Sequence, residues 1–258
     1  MEPGLVCGAV EDGVATVTIS HPSKRNAMTP DMWRRLPGLL SGFAADPAVR
    51  MLVLTGAGDT FCAGADIDSL RRDAAPRELA AAAEEALAAF PKPTLAVIRG
   101  HCVGGGCQLA AACDLRFAAE GAVFGVTPAR LGLVYPPSST QRLVRLVGPS
   151  SAKYLLLSAE LIGTERALRT GLVDEVWPAD ALQERVTKFT EVLASRSQLT
   201  QSAAKEYADR PASPDRIAYW TGQALADGEA AEGVAAFLER RTPRFSWSVD
   251  PGPSGSRP

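Results

Sequence analysis

At 258 residues, 46% hydrophobic and 22% charged, the chain is long enough to bury a sizeable core; its formal net charge of -2, from 27 basic and 29 acidic residues, offers no basic stripe for nucleic acid. No apolar run approaches the ~20 residues that span a bilayer, and the N-terminal MEPGLVCGAVEDG lacks a charged segment followed by an apolar one, so a cytoplasmic protein without a membrane partner is expected. Five cysteines, at positions 7, 62, 102, 107 and 113, are an odd count with no CxxC pair and only two histidines beside them, which argues against a zinc site or a disulfide framework and for reduced, buried small hydrophobes.

Near the N-terminus, Asp12-Gly13 between two β-prone runs predicts a hairpin, because this pair accepts positive φ. Thr29 and Pro30 supply an N-cap and a first-turn proline for a helix from about Pro30 to Phe43, which Pro37-Gly38 is expected to kink or split. A strand MLVLTGAG then begins at Met51. After a loop comes an alanine-rich helix from about Pro76 to Phe90, whose apolar face is Leu79, Ala83, Leu87 and Phe90. The strand TLAVIRG ends at Gly100, a short helix follows the glycines after it, and DLRFAAE reads as the next strand. A loop rich in proline and serine leads to helical segments around QRLVRLVG and SAKYLLLSAE.

Strand, helix, strand, helix in this order predicts parallel pairing through right-handed crossovers and an α/β fold. Strand signals fade from about Leu182; the stretch from Ile217 to Leu225 and EAAEGVAAFLERR read as helices. The expected division is a core over residues 1–195 and an all-helical region over 196–258, closing on VDPGPSGSRP with the composition of a disordered tail. No internal repeat at a fixed period is visible.

Two glycine-containing loops each follow a strand: TGAGDTFCAGADIDSL, from Thr55 to Leu70, and RGHCVGGGCQLAAACD, from Arg99 to Asp114. Glycine lets backbone approach a ligand closely, and the N–H groups at a helix start lack intrahelical partners. Two such loops side by side could aim two N–H donors at one oxygen. Taken alone, a glycine run can equally be a turn or a packing site, and GGG fits neither the dinucleotide nor the P-loop fingerprint.

PSKRNAM, FCAGADI, GGGCQLAAACD, TQRL, GLVDEV and EGVAAFLERR, in that order and at comparable spacing, resemble the crotonase superfamily, the enoyl-CoA hydratase/isomerase family, over roughly Val14 to Arg241. The resemblance implies a spiral of ββα turns, a C-terminal helical region used in trimer formation, often a dimer of trimers, and an acyl-CoA thioester as substrate, with coenzyme A part of that substrate and no separate cofactor or metal. It implies that the backbone N–H groups of Ala65 and Gly105 form an oxyanion hole. It places Ala63, Ala65, Asp66 and Ile67 along the adenine and pantetheine path, Arg25 near CoA phosphates, and Phe237 and Arg240 where C-terminal residues close over CoA. Within the matched motif Asp66 reads as a residue that holds the loop, not as a base, and His21 and His101 as structural histidines.

The chain departs from hydratases at two positions. Their paired glutamates match Gln108, three residues after Gly105, and Pro128, so both carboxylates are missing. A glutamine amide can orient water or a carbonyl but accepts no proton at neutral pH. A positioned acid–base group contributes ~10²–10⁴-fold, so little ordinary hydration is expected without the pair. Reactions that need an enolate but less help from carboxylates remain, namely isomerisation or decarboxylation of a malonyl-type thioester; residual hydration would need Asp68 or another carboxylate in the pocket, and a non-catalytic acyl-CoA binder is the alternative class. The TP, LG and Tyr135 spacing in VTPARLGLVYPP resembles methylmalonyl-CoA decarboxylases of the superfamily, where the tyrosine lies near the substrate carboxylate; those decarboxylases can keep a glutamate at the Gln108 position and lack the alanine of AGAD.

Overall fold

The computed structural model describes residues 2–70, 76–226 and 228–249. The predicted tail falls on residues 250–258, outside the described residues, apart from its first residue. The hairpin is present: β1 (Gly4–Cys7) pairs antiparallel with β2 (Val14–Ser20), and Asp12 and Gly13 take φ of 49° and 80° in the turn. Thr29 Oγ1 accepts from the Met32 N–H at 3.3 Å and starts α1 (Pro30–Ala45). The expected split at Pro37-Gly38 is corrected, because α1 runs unbroken through both residues. An interior proline costs ~3 kcal/mol. Burying Met32, Trp33, Leu36 and Leu40 on one face contributes ~1.5–3 kcal/mol per side chain, and that burial wins.

A repeating path follows. Strands β3 (Met51–Gly56), β4 (Thr94–Ile98), β6 (Leu115–Ala119) and β9 (Glu175–Trp177) add in parallel to β2, giving a sheet of order β1-β2-β3-β4-β6-β9. A second sheet, β5-β7-β8, is built from β5 (His101–Val103), β7 (Val123–Gly125) and β8 (Ile162–Gly163). The turns that begin at β4 and β6 each lay one strand in the large sheet, then a short strand in the small sheet, and continue into a helix. The returning helices are α4 (Gly105–Ala112) after β5, and α5 (Pro137–Ser158) after β7; α6 (Thr164–Thr170) joins β8 to β9. Gly148, with φ 76° and ψ 162°, breaks α5 between its two predicted helical segments. The three short strands were not expected, since two or three residues are too few to show a period of two.

Helices α2 (Ile67–Leu70) and α3 (Pro76–Ala88) follow β3, and the expected face of α3 is buried at Ala83 and Leu87, continuing to Phe90. After β9, α7 (Leu182–Ala194) packs Leu182 and Val186 on Met51, Val53, Leu95 and Val97 of the large sheet. The last helices are α8 (Gln198–Asp209), α9 (Pro214–Ala226) and α10 (Glu229–Glu239), with a small core of their own at Leu199, Trp220 and Trp247. Among the described residues no helix is long and apolar enough to cross a membrane. Cys62, Cys102, Cys107 and Cys113 are buried free thiols, whereas Cys7 is exposed.

One buried cation ties the first helix to the sheet. Lys92, only 1% exposed, donates from Nζ to the carbonyls of Phe43 and Asp46 at the end of α1, at 3.1 and 2.7 Å. Replacing it as Lys92→Met takes the side-chain donor from the part-buried Phe43 carbonyl and one of two donors from Asp46 O, which keeps the Val49 N–H, and should cost about 1–3 kcal/mol of stability in a denaturant titration. Burial pushes the Lys92 ammonium down to about 8 from its ordinary 10.5. Between those values the unfolded chain binds a proton that the folded chain does not, so wild-type stability relative to Lys92→Met should rise as pH increases across that window. A difference that stays flat with pH contradicts this account.

Candidate active site

The two glycine loops meet because the segment after β3 runs beside β5. Phe61 and Cys62 donate to the carbonyls of Arg99 and His101 at 2.7 and 2.9 Å, and Val103 donates back to Cys62 O at 3.0 Å. The crossing is so close that a Cβ on Gly106 would lie 2.3 Å from Cys62 O. Its neighbours have separate reasons to be glycine. Gly104 sits at φ 57° and ψ -124°, a region open to glycine alone, and a side chain on Gly105 would meet the Trp33 ring at 3.1 Å.

Among the described residues, this crossing leaves two neighbouring N–H groups without a backbone acceptor. Met28 N donates to Gly64 O and Asp66 N donates to Met28 O, so these bonds flank Ala65, whose own N–H meets no acceptor among the described residues. Gly105 opens α4, where the first N–H groups have no intrahelical partner. The two nitrogens are close: a Cβ built on Gly105 would sit 3.8 Å from Ala65 N, and one built on Gly64 would sit 3.3 Å from Gly105 N. An oxygen placed between them can accept from both.

Both residues line one cleft of about 270 Å³, together with Trp33, Gln108 and Tyr135. Its walls are mostly apolar, supplied by Ala80, Ala81, Leu109, Leu131, Leu133 and Val134. Gln108 is 4% exposed, and neither its amide nitrogen nor its amide oxygen has a hydrogen-bond partner. The Trp33 Nε1 is likewise buried and unpartnered. The Tyr135 hydroxyl lies 3.7 Å from the Cβ position of Gly104, and burial, reinforced by Cys107 and then by Glu84, holds it protonated by raising its pKa. Buried polar groups left unsatisfied cost ~1–3 kcal/mol each, so a cleft carrying several is built for a polar ligand atom.

The other expected residues fall into three groups. Ala63 and Ile67 line the cleft beside Ala65. Asp66 is buried beneath the loop, where its carboxylate accepts from Lys24 Nζ at 2.7 Å and its carbonyl accepts from Ser69 Oγ at 2.5 Å, which suits a holding role. Arg25 is exposed near His101, at 3.5 Å, and its carbonyl accepts from Ala63 N at 3.0 Å. Phe237, 82% exposed on α10, and Arg240 at the end of that helix do not line the cleft. Pro128 is buried in a short turn whose neighbours Thr127 and Leu131 reach the cleft. Asp68 pairs with Lys24 and does not line the cleft. Sequence reasoning missed Trp33, Ser139 and Glu84; a signal for Glu84 existed, as it falls four residues after Ala80 and three before Leu87 on a face otherwise apolar.

The model of the enoyl-CoA hydratase/isomerase family matches residues 9–248. A crotonyl-CoA hydratase from Syntrophomonas wolfei is 36% identical over 91% of this chain and 95% of its own length. A 2,3-dehydroadipyl-CoA hydratase from Escherichia coli is 34% identical over 90% of this chain and 94% of its own. The crystal structure of an enoyl-CoA hydratase/isomerase family member superposes with a TM-score of 0.90 at 37% identity, covering 96% of this chain and 98% of that one. With a spiral of paired strands and helices bringing two glycine loops together at one apolar cleft, the chain belongs to the enoyl-CoA hydratase/isomerase family.

Proposed function

We propose that the chain acts on an acyl-CoA thioester through an enolate whose oxygen is held by the N–H groups of Ala65 and Gly105, and that its reaction is not ordinary two-glutamate hydration. The observation that carries this reading is the pair of adjacent, unpartnered N–H groups at the foot of an apolar cleft. As a thioester carbonyl becomes an enolate, negative charge collects on oxygen, and donors already in place stabilise it without reorganisation. Gln108 supplies the departure from hydration. Its buried amide occupies the position that matches one hydratase glutamate, and Pro128 occupies the position that matches the other. The named relatives are hydratases, and they supply the substrate class, an acyl-CoA.

In this reading the CoA runs over Ala63 and Ile67, with Asp66 fixing the loop beneath and Arg25 beside the phosphates. Coenzyme A is part of the substrate and no other cofactor takes part. Phe237 and Arg240 close over CoA from the helical region, and the exposed Val234, Phe237 and Leu238 of α10 are covered in a trimer or dimer of trimers. Isomerisation is the leading reaction. Decarboxylation of a malonyl-type thioester is a second reading, favoured by the Tyr135 hydroxyl beside Gly104, where it can orient a carboxylate or give a proton to the enolate.

The test is turnover of purified protein on a panel of enoyl-, dienoyl- and malonyl-type thioesters followed by mass spectrometry. Conversion by isomerisation or decarboxylation is expected; binding of every thioester with turnover of none would make the chain a non-catalytic acyl-CoA binder. Replacing the Gly64–Ala65 amide with an ester, which removes the Ala65 N–H and weakens Gly64 O as the acceptor of the Met28 N–H, should lower turnover about 10²–10³-fold. Gln108→Glu restores one missing carboxylate and should raise crotonyl-CoA hydration at least about tenfold over wild type. Rapid hydration by the wild type, unaffected by that change, contradicts the reading.

A further inference from the structure

The two glycine loops bring backbone donors to the cleft but no base. A carboxylate reaches it from α3. Glu84, in the third turn of α3, lines the cleft with Ser139 of α5, alongside Ala65, Gly105 and Gln108. Its side chain is 6% exposed. One oxygen accepts from Ser139 Oγ at 2.6 Å, and the other accepts from Arg142 Nη1. The guanidinium is shared, because Arg142 Nη2 also donates to Glu85 at 3.0 Å. Two carboxylates around one guanidinium leave a surplus negative charge at the cleft wall, and a surplus charge in a low-dielectric setting makes a carboxylate a better proton acceptor.

The surroundings agree with that role. Burial is the largest influence on Glu84 and raises its pKa, opposed by Ser139 and Arg142 and reinforced by Glu85. The titratable groups facing it are Arg142 from α5, Tyr135 from the segment before α5, and Glu85 on its own helix; Glu78 lines the same cleft from an exposed position on α3. Helix α4 presents Gln108, which is neutral. A second carboxylate there would repel Glu84 across the cleft, so the amide at 108 and the acid at 84 are mutually compatible. A purely structural ion pair needs no opening onto a cleft that also holds two free N–H donors and an unpartnered amide.

We propose that Glu84 is the acid–base residue of this site, removing a proton from the acyl carbon next to the thioester carbonyl and returning one to the chain. This rests on the reading of Ala65 and Gly105 as the oxyanion donors. The C–H bond breaks and its proton forms an O–H bond on Glu84. The C–H electron pair becomes the new carbon–carbon π bond, and the carbonyl π pair moves onto oxygen between the two N–H groups. On return, the carboxylic acid gives its proton to carbon. Return to the same carbon exchanges a hydrogen. When the acyl chain carries a β,γ double bond, return two carbons further along moves that double bond into conjugation. No oxidant, reductant or second substrate is consumed.

Vinylacetyl-CoA in D₂O reads both outcomes, exchange by proton NMR and conjugation by ultraviolet absorbance. Wild type should exchange and isomerise. Glu84→Gln should slow both at least about a hundredfold. The same variant should still bind butyryl-CoA by calorimetry. Ser139→Ala removes a hydrogen bond that holds the Glu84 pKa down, so the acid limb of the rate profile should move to higher pH. A folded Glu84→Gln protein that reacts at the wild-type rate overturns the proposal and leaves the oxyanion donors standing. Should Glu84→Gln fail to fold, Ser139→Ala decides, and an unmoved acid limb overturns it. Wild type that binds butyryl-CoA yet neither exchanges nor isomerises vinylacetyl-CoA fails the enolate reading as well.

Discussion

The approach on which the rest of the site depends is backbone on backbone, where Gly106 passes over Cys62. No residue with a Cβ fits there, since that atom would lie 2.3 Å from a carbonyl oxygen. Glycine at this point lets the start of α4 settle against the segment after β3, and the parallel hydrogen bonds from Phe61 through Val103 lock the two in register. Everything at the foot of the cleft follows from that register. The N–H of Ala65 is left between two used neighbours, the N–H of Gly105 is left at a helix start, and both sit on the same side. Cys62, Cys102 and Cys107 are buried free thiols, and Cys62 Sγ accepts from Gly64 N at 3.4 Å; burial pushes the Cys62 thiol up to about 12, so it stays neutral and inert.

In front of this foundation the cleft is arranged by charge economy. Its walls are apolar, so any ion in it interacts strongly with every other. A surplus negative charge is present at the Glu84 and Glu85 pair around Arg142, Glu78 adds a carboxylate at the exposed edge, and the Gln108 amide, the Trp33 indole and the protonated Tyr135 phenol are neutral. That surplus charge also weighs against the malonyl-type reading, because a substrate carboxylate would enter beside it. A neutral, proton-donating carbon chain suits the same wall better.

Much of the site was legible in the sequence because the need for glycine is local. AGAD and GGG stand out whatever the rest of the chain does, and the order of strands and helices follows from runs of residues long enough to show a period. The short strands β5, β7 and β8 were not legible, since their pairing is imposed by the spiral and not by any pattern inside two or three residues. Pro37 misled because a local rule was outweighed by four buried side chains on the same helix. Glu84 stayed hidden for the opposite reason: within AAAEEALA it looks like a solvated charge, and only α5, 55 and 58 residues further on, reveals its partners Ser139 and Arg142.

The central claim is that a thioester oxygen sits between the N–H groups of Ala65 and Gly105. Infrared difference spectroscopy of butyryl-CoA labelled with carbon-13 at the thioester carbonyl observes that oxygen's bond directly. Two charge-polarising donors should lower the carbonyl stretching frequency of the bound ligand relative to the free one, and the ester replacement at Ala65 should return part of the shift. A bound carbonyl that absorbs at the frequency of the free thioester contradicts the account.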